Sequence, residues 1–85
     1  MNISKSEQRV LHVLAQGGAI RHRRDETGRI VEAMCFTRDG HVLESDGLAL
    51  FSRLRRRGFI ASRGGAPYRI TPAGLRAVRA QLDNR

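Results

Sequence analysis

A second cysteine is missing from this 85-residue sequence, which excludes an internal disulfide framework and the multi-cysteine spacings of structural zinc. No apolar run approaches the roughly 20 residues that a membrane-spanning helix requires. Met1-Asn2-Ile3-Ser4-Lys5 also lacks the apolar middle of a signal peptide. A cytoplasmic protein with no membrane partner is expected. The third scarcity is local: from Leu48 to Leu82 there is no aspartate and no glutamate. What remains is an ordinary globular composition, 40% hydrophobic and 28% charged. At this length two cores would each be too small to outweigh chain entropy, so residues 1–85 are expected to form one domain.

The formal charge is +8, and fifteen of the sixteen basic residues are arginines, whose planar guanidinium suits bidentate pairing with phosphate or carboxylate. From Met1 to Gly47, seven basic residues (Lys5, Arg9, Arg21, Arg23, Arg24, Arg29 and Arg38) face seven acidic ones. The whole excess lies in Arg53, Arg55, Arg56, Arg57, Arg63, Arg69, Arg76 and Arg79. A solvated face that merely keeps the protein soluble is the bland alternative. Eight like charges without an interleaved carboxylate repel one another, however, and an anionic partner explains them better.

Ser4-Lys5-Ser6-Glu7 has the form of a capping box, and Val10, Leu11 and Leu14 recur at helical spacing before Gly17-Gly18, which predicts a helix over about 4–16. Ala19 to Arg24, a turn at Asp25-Glu26-Thr27-Gly28 and Arg29 to Thr37 together resemble a hairpin. Ile30, Val31, Met34 and Cys35 also fit a helical stripe, so strand is preferred over helix at 29–37 without excluding it. Strand alternation would put Ile30, Glu32, Met34 and Phe36 on one face and Val31, Ala33 and Cys35 on the other. His41-Val42-Leu43 offers a third short strand.

Ser45 or Asp46 is a candidate cap for a second helix, with Leu48, Leu50, Phe51 and Leu54 as its apolar stripe and Gly58 as its end. Arg53 and Arg56 fall on its opposite face, and Arg57 at the stripe's border. Phe59 to Ser62 and Tyr68 to Thr71, joined by Arg63-Gly64-Gly65-Ala66-Pro67, have the shape of a wing hairpin. Thr71-Pro72 gives cap and first-turn signals for a third helix, with Leu75, Val78 and Leu82 buried and Arg76 and Arg79 beside them. Asp83-Asn84-Arg85 should fray. The expected fold is therefore α+β: a small winged-helix-like domain of three helices, a short antiparallel sheet and a C-terminal wing hairpin.

Convergent groups for enzyme chemistry do not assemble by spacing. His12, His22 and His41 are too far apart for a short metal-site spacing and read as surface or partly buried imidazoles. Cys35, inside an apolar run, reads as a buried small hydrophobe. The glycine pairs fit neither a phosphate loop nor a dinucleotide fingerprint and read as punctuation. No catalytic residue, metal or cofactor is expected. The candidate binding residues are Arg53, Arg56, Arg57, Arg63, Arg69, Arg76 and Arg79, in the helix-plus-hairpin layout by which winged helices touch duplex DNA. Strands at 29–37 would leave the helix-turn-helix without the helix that normally precedes the recognition helix.

Ser6-Glu7-Gln8-Arg9-Val10-Leu11-His12-Val13-Leu14-Ala15-Gln16-Gly17-Gly18, Pro67-Tyr68-Arg69-Ile70 and Arg79-Ala80-Gln81-Leu82-Asp83-Asn84-Arg85 resemble the small bacterial YjhX family, and the likeness covers nearly the whole chain. The resemblance implies a toxin–antitoxin role: a non-enzymatic protein that binds type I DNA topoisomerase and blocks DNA relaxation, with a cognate antitoxin relieving the block. It assigns no residue roles. A DNA-binding regulator is the alternative that the basic layout supports, and a self-associating interaction domain is the third.

Overall fold

The computed structural model describes residues 3–44 and 47–83, the last four of these by backbone alone. Helix α1 spans Lys5–Ala15. Its capping box is complete: the Glu7 amide donates to Ser4 Oγ at 3.1 Å, and the Ser4 amide donates to Glu7 Oε1 at 3.0 Å. Two donors that the first helical turn cannot pair internally are thereby satisfied. Val10, Leu11 and Leu14 form its buried stripe. Gly17, at φ 104°, takes the left-handed conformation that ends the helix.

Gly18 does more than punctuate. A Cβ there would lie 2.5 Å from the Phe36 carbonyl oxygen and 2.9 Å from Val13 Cγ1. The chain can pass between α1 and the sheet only because this residue has no side chain.

Strand β1 (Ala19–Arg24) pairs antiparallel with β2 (Ile30–Phe36), in register from Ala19 opposite Phe36 to Arg23 opposite Glu32, with a shift at Arg24. Asp25 closes the turn, its Oδ1 accepting from the amides of Thr27 (2.9 Å) and Arg29 (3.0 Å) and from the Thr27 hydroxyl (2.6 Å). A two-residue β3 (Val42–Leu43) adds to the other edge of β2. The ambiguity at 29–37 thus resolves to strand. Cys35 is buried beneath α2 and Ala33 half-buried, while Met34 on the other face is 40% exposed.

Helix α2 (Leu48–Arg56) begins at Gly47, which supplies no side-chain cap; the expected caps Ser45 and Asp46 lie outside the described residues. Leu50, Phe51 and Leu54 are buried, but Leu48, expected in the same stripe, is the first residue of the helix and 39% exposed. The second hairpin is shorter than expected: β4 (Ile60–Ala61) and β5 (Arg69–Ile70). Tyr68 is instead recruited to the first sheet, its amide donating to the Ile20 carbonyl at 2.8 Å and its carbonyl accepting from the Ile20 amide at 2.9 Å.

Helix α3 (Pro72–Asp83) is capped by Thr71, whose Oγ1 accepts from the Gly74 amide at 3.1 Å and donates to the Gly58 carbonyl at 2.7 Å. Gly74 is a second close approach, where a Cβ would collide with the Phe59 carbonyl oxygen and lie 2.7 Å from Ile70 Cγ1. α3 lies chiefly on α1, with Val78 buried and Leu75 half-buried; the side chain of Leu82 and residues Asn84 and Arg85 lie outside the description.

One core joins these elements. Val10, Leu11, Leu50 and Leu54 are almost fully enclosed, and burial of each such side chain stabilises the fold by roughly 1.5–3 kcal/mol. Tyr68 stacks edge-on to Phe51, with ring centroids 4.9 Å apart, tying the second hairpin to α2. The observed class is α+β; the described residues form three helices, a three-stranded antiparallel sheet and a two-stranded one.

Candidate anionic-partner interface

The seven candidate arginines fall on three elements. On α2, Arg56 is exposed and Arg53 half-buried, three residues apart and so on one face. On the β4–β5 hairpin, Arg63 and Arg69 are exposed and line one groove with Pro67 and Pro72. On α3, Arg76 and Arg79 are both exposed at the same three-residue spacing.

Arg57 differs from the others. Its Nη1 donates to Glu7 Oε2 at 2.8 Å, with side-chain exposures of 28% for Arg57 and 5% for Glu7. Its guanidinium carbon also sits 4.9 Å from the centroid of Phe59. The border position foreseen for it on α2 therefore turns it toward α1. Burial pushes the Glu7 carboxyl up, but hydrogen bonds from Ser4 and Arg57 and the charge of Arg57 together outweigh burial, and the net shift is downward. Among the described residues, none of the other six candidates is ion-paired to a carboxylate.

The division into a neutral first half and a basic second half does not survive folding. Arg69, from the second half, donates to the Gly17 carbonyl at 3.2 Å and lines a groove with Arg21 and Arg38, from the first. Arg21 lies over the Phe36 ring, 5.1 Å from its centroid. Charge counting along the chain missed these two arginines because their sequence neighbours Asp25, Glu26 and Asp39 balance them on paper. The signal was the strand alternation, which puts Arg21 and Phe36 on one face.

Cys35 is buried, and desolvation pushes its thiol up, away from the thiolate a nucleophile requires. His22 is half-buried, edge-on to Tyr68 at 5.1 Å, while His12 and His41 are exposed. Among the described residues no three metal-ligating side chains gather, and no helix is long and apolar enough to cross a membrane. The strand at Ile30–Phe36 also means that no helix stands directly before α2, so the helix-turn-helix of a major-groove reader is incomplete.

Residues 1–85 match the YjhX toxin family, described as "putative toxin of bacterial toxin-antitoxin pair". The chain is 62% identical to a UPF0386 protein of Beijerinckia indica subsp. indica and 60% identical to one of Parvibaculum lavamentivorans, each over 100% of both chains. It is 58% identical to a UPF0386 protein of Caulobacter vibrioides, over 100% of this chain and 93% of the relative. No solved structure gives a significant match.

Proposed function

The chain belongs to the YjhX family of toxins of bacterial toxin–antitoxin pairs, and on that footing we propose that it acts in the cytoplasm as a non-enzymatic inhibitor, docking on a type I DNA topoisomerase and blocking DNA relaxation. The end-to-end family match supports the toxin–antitoxin part of this reading, and the topoisomerase target is what the resemblance to the family implies. The charge distribution supports it: an enzyme that grips DNA offers anionic surface of two kinds, its bound DNA and its own acidic patches.

In this proposal Arg53 and Arg56 on α2, Arg63 and Arg69 on the β4–β5 hairpin and Arg76 and Arg79 on α3 make the contact. Arg57 supports it from beneath by fixing α2 to α1. A cognate antitoxin that covers these arginines would relieve the block.

The test is relaxation of negatively supercoiled plasmid by purified bacterial topoisomerase I, with the protein added alone and then with its antitoxin. Slowed relaxation, reversed by antitoxin and weakened in the R53Q/R56Q variant, is the expected result. Unchanged relaxation at excess protein, together with no topoisomerase recovered in a nuclease-treated pull-down, would rule the proposal out.

A further inference from the structure

Arg21, Arg38 and Arg69 come from three separate elements, β1, the β2–β3 turn and β5, and line one groove of about 310 Å³. Two of the three are held in place by the fold. Arg69 is tethered through Nη1 to the Gly17 carbonyl, and Arg21 rests on the Phe36 ring. The stem of Arg38 lies against Gly17, where its Cδ would be 3.3 Å from an added Cβ. Among the described residues none of the three is ion-paired to a carboxylate, and the groove lining contains no acidic side chain; Asp39 lines the next cleft with Arg38 and His41.

Three arginines lining one groove without a counter-charge repel one another, and holding two of them in place beforehand reduces the entropy lost when an anion arrives. The groove also continues. Arg69 and Pro67 form the ridge to the neighbouring groove, where Arg63 supplies the next positive charge. Such a track suits a polymer with an anion at every repeat. Gly17 and Gly40 leave stretches of wall without side chains, so a bulky backbone can come close. An acidic peptide would want apolar sockets between its charges. In the Arg21–Arg38–Arg69 groove the one large ring, Phe36, is already covered by Arg21, although the adjoining Arg63 groove is lined by Ala61, Pro67, Ile70 and Pro72, and the poly-glutamate arm below tests that occupant.

We propose that Arg21, Arg38 and Arg69, continued by Arg63, form a binding site for the phosphodiester backbone of a nucleic acid. The site goes beyond topoisomerase docking, because it works with no enzyme present. The proposal covers the phosphodiester backbone alone and assigns no base contact, so binding should be indifferent to sequence.

The experiment is fluorescence anisotropy of a short labelled DNA duplex titrated with the full chain over a sodium chloride series, without topoisomerase. Replacing the three arginines together (R21Q/R38Q/R69Q) should weaken binding more than about tenfold at low salt and reduce the log–log salt slope by about two to three units. K5Q/R9Q, on the exposed face of α1, should leave both nearly unchanged. R38E alone, on an exposed turn, keeps the Cβ and Cγ that lie against Gly17, and should retain the native circular dichroism spectrum and still weaken binding severalfold.

Equal affinity and slope for the triple variant and the wild type would overturn the site. So would displacement of the duplex by inorganic phosphate at constant ionic strength, which would make it a small-anion pocket. Retention on poly-glutamate with no retention on duplex would assign the groove to an acidic protein instead. Arg63 and Arg69 serve both proposals, so the nuclease-treated pull-down separates them: topoisomerase recovered there by a chain that does not bind free duplex overturns this site and leaves the docking proposal standing.

Discussion

Glu7 and Arg57, fifty positions apart, meet in a 2.8 Å ion pair whose carboxylate also completes the capping box of α1. One side chain thus serves local helix initiation with Oε1 and the docking of α2 with Oε2. Because Glu7 is almost wholly enclosed, removing Arg57 leaves a carboxylate oxygen under-satisfied in a poorly solvated place.

Glu7→Gln keeps a capping acceptor and loses the charge, and should destabilise the protein by about 1–2 kcal/mol; Glu7→Ala loses both roles and should cost about 2–4 kcal/mol. Urea unfolding measures each. A double-mutant cycle with Arg57→Gln should return a coupling of about 1 kcal/mol or more, and a coupling near zero would show the pair to be inert.

The same carboxylate sets an acid limb. Glu7 titrates below its ordinary value of 4.5 in the folded protein, so below about pH 4.5 the unfolded chain binds more protons than the native one, and stability rises with pH across that window. The contribution is fully present above the unfolded value and disappears as pH falls through the folded one. Asp25, lowered by its Thr27 and Arg29 hydrogen bonds at the exposed turn, acts in the same direction. Thermal melts from pH 6 down to about pH 3 should show a shallower acid loss in Glu7→Gln than in the wild type.

Gly18→Ala and Gly74→Ala should each destabilise by about 2–4 kcal/mol, since both Cβ atoms would meet backbone carbonyls that cannot rotate away. Gly40→Ala is the comparison. Gly40 has φ 91° but open space around it, so only backbone strain applies, and about 1 kcal/mol is expected. Chemical denaturation of the three variants ranks them, and a Gly40 variant as damaged as the other two would contradict the collision account.

Cys35 should react with a thiol reagent such as Ellman's reagent only as fast as the protein opens, because the thiol is buried and its ionisation suppressed. Adding denaturant at constant pH should bring the rate to that of a free thiol. Rapid labelling of the native protein would place the thiol at an accessible surface.

Features whose causes are local were legible in the sequence. The Ser4–Glu7 box and the Thr71–Pro72 start need only four or five consecutive residues, and both helices begin there. Residues 30–36 were harder, since their apolar positions satisfy two periodicities at once; the choice is made by α2, which covers Cys35 and not Met34. Distant causes were illegible. Nothing near Gly18 or Gly74 announces that a carbonyl of another element will lie against it, and nothing near Arg57 announces Glu7. The charge map failed for the same reason. A tally along the chain is one-dimensional, whereas Arg69 belongs in space with Arg21 and Arg38.

The pair of hydrogen bonds between Ile20 and Tyr68 bears on how the protein is made. During synthesis the outer edge of β1 waits bare until Tyr68 leaves the ribosome, and long-range pairings of this kind form late. A polypeptide released early would hold the first hairpin without its lock, together with Arg21 and Arg38 but no Arg69. Only a chain synthesised past Arg69 brings the three arginines to one groove, so truncation upstream of that residue should remove the site while leaving the first hairpin intact.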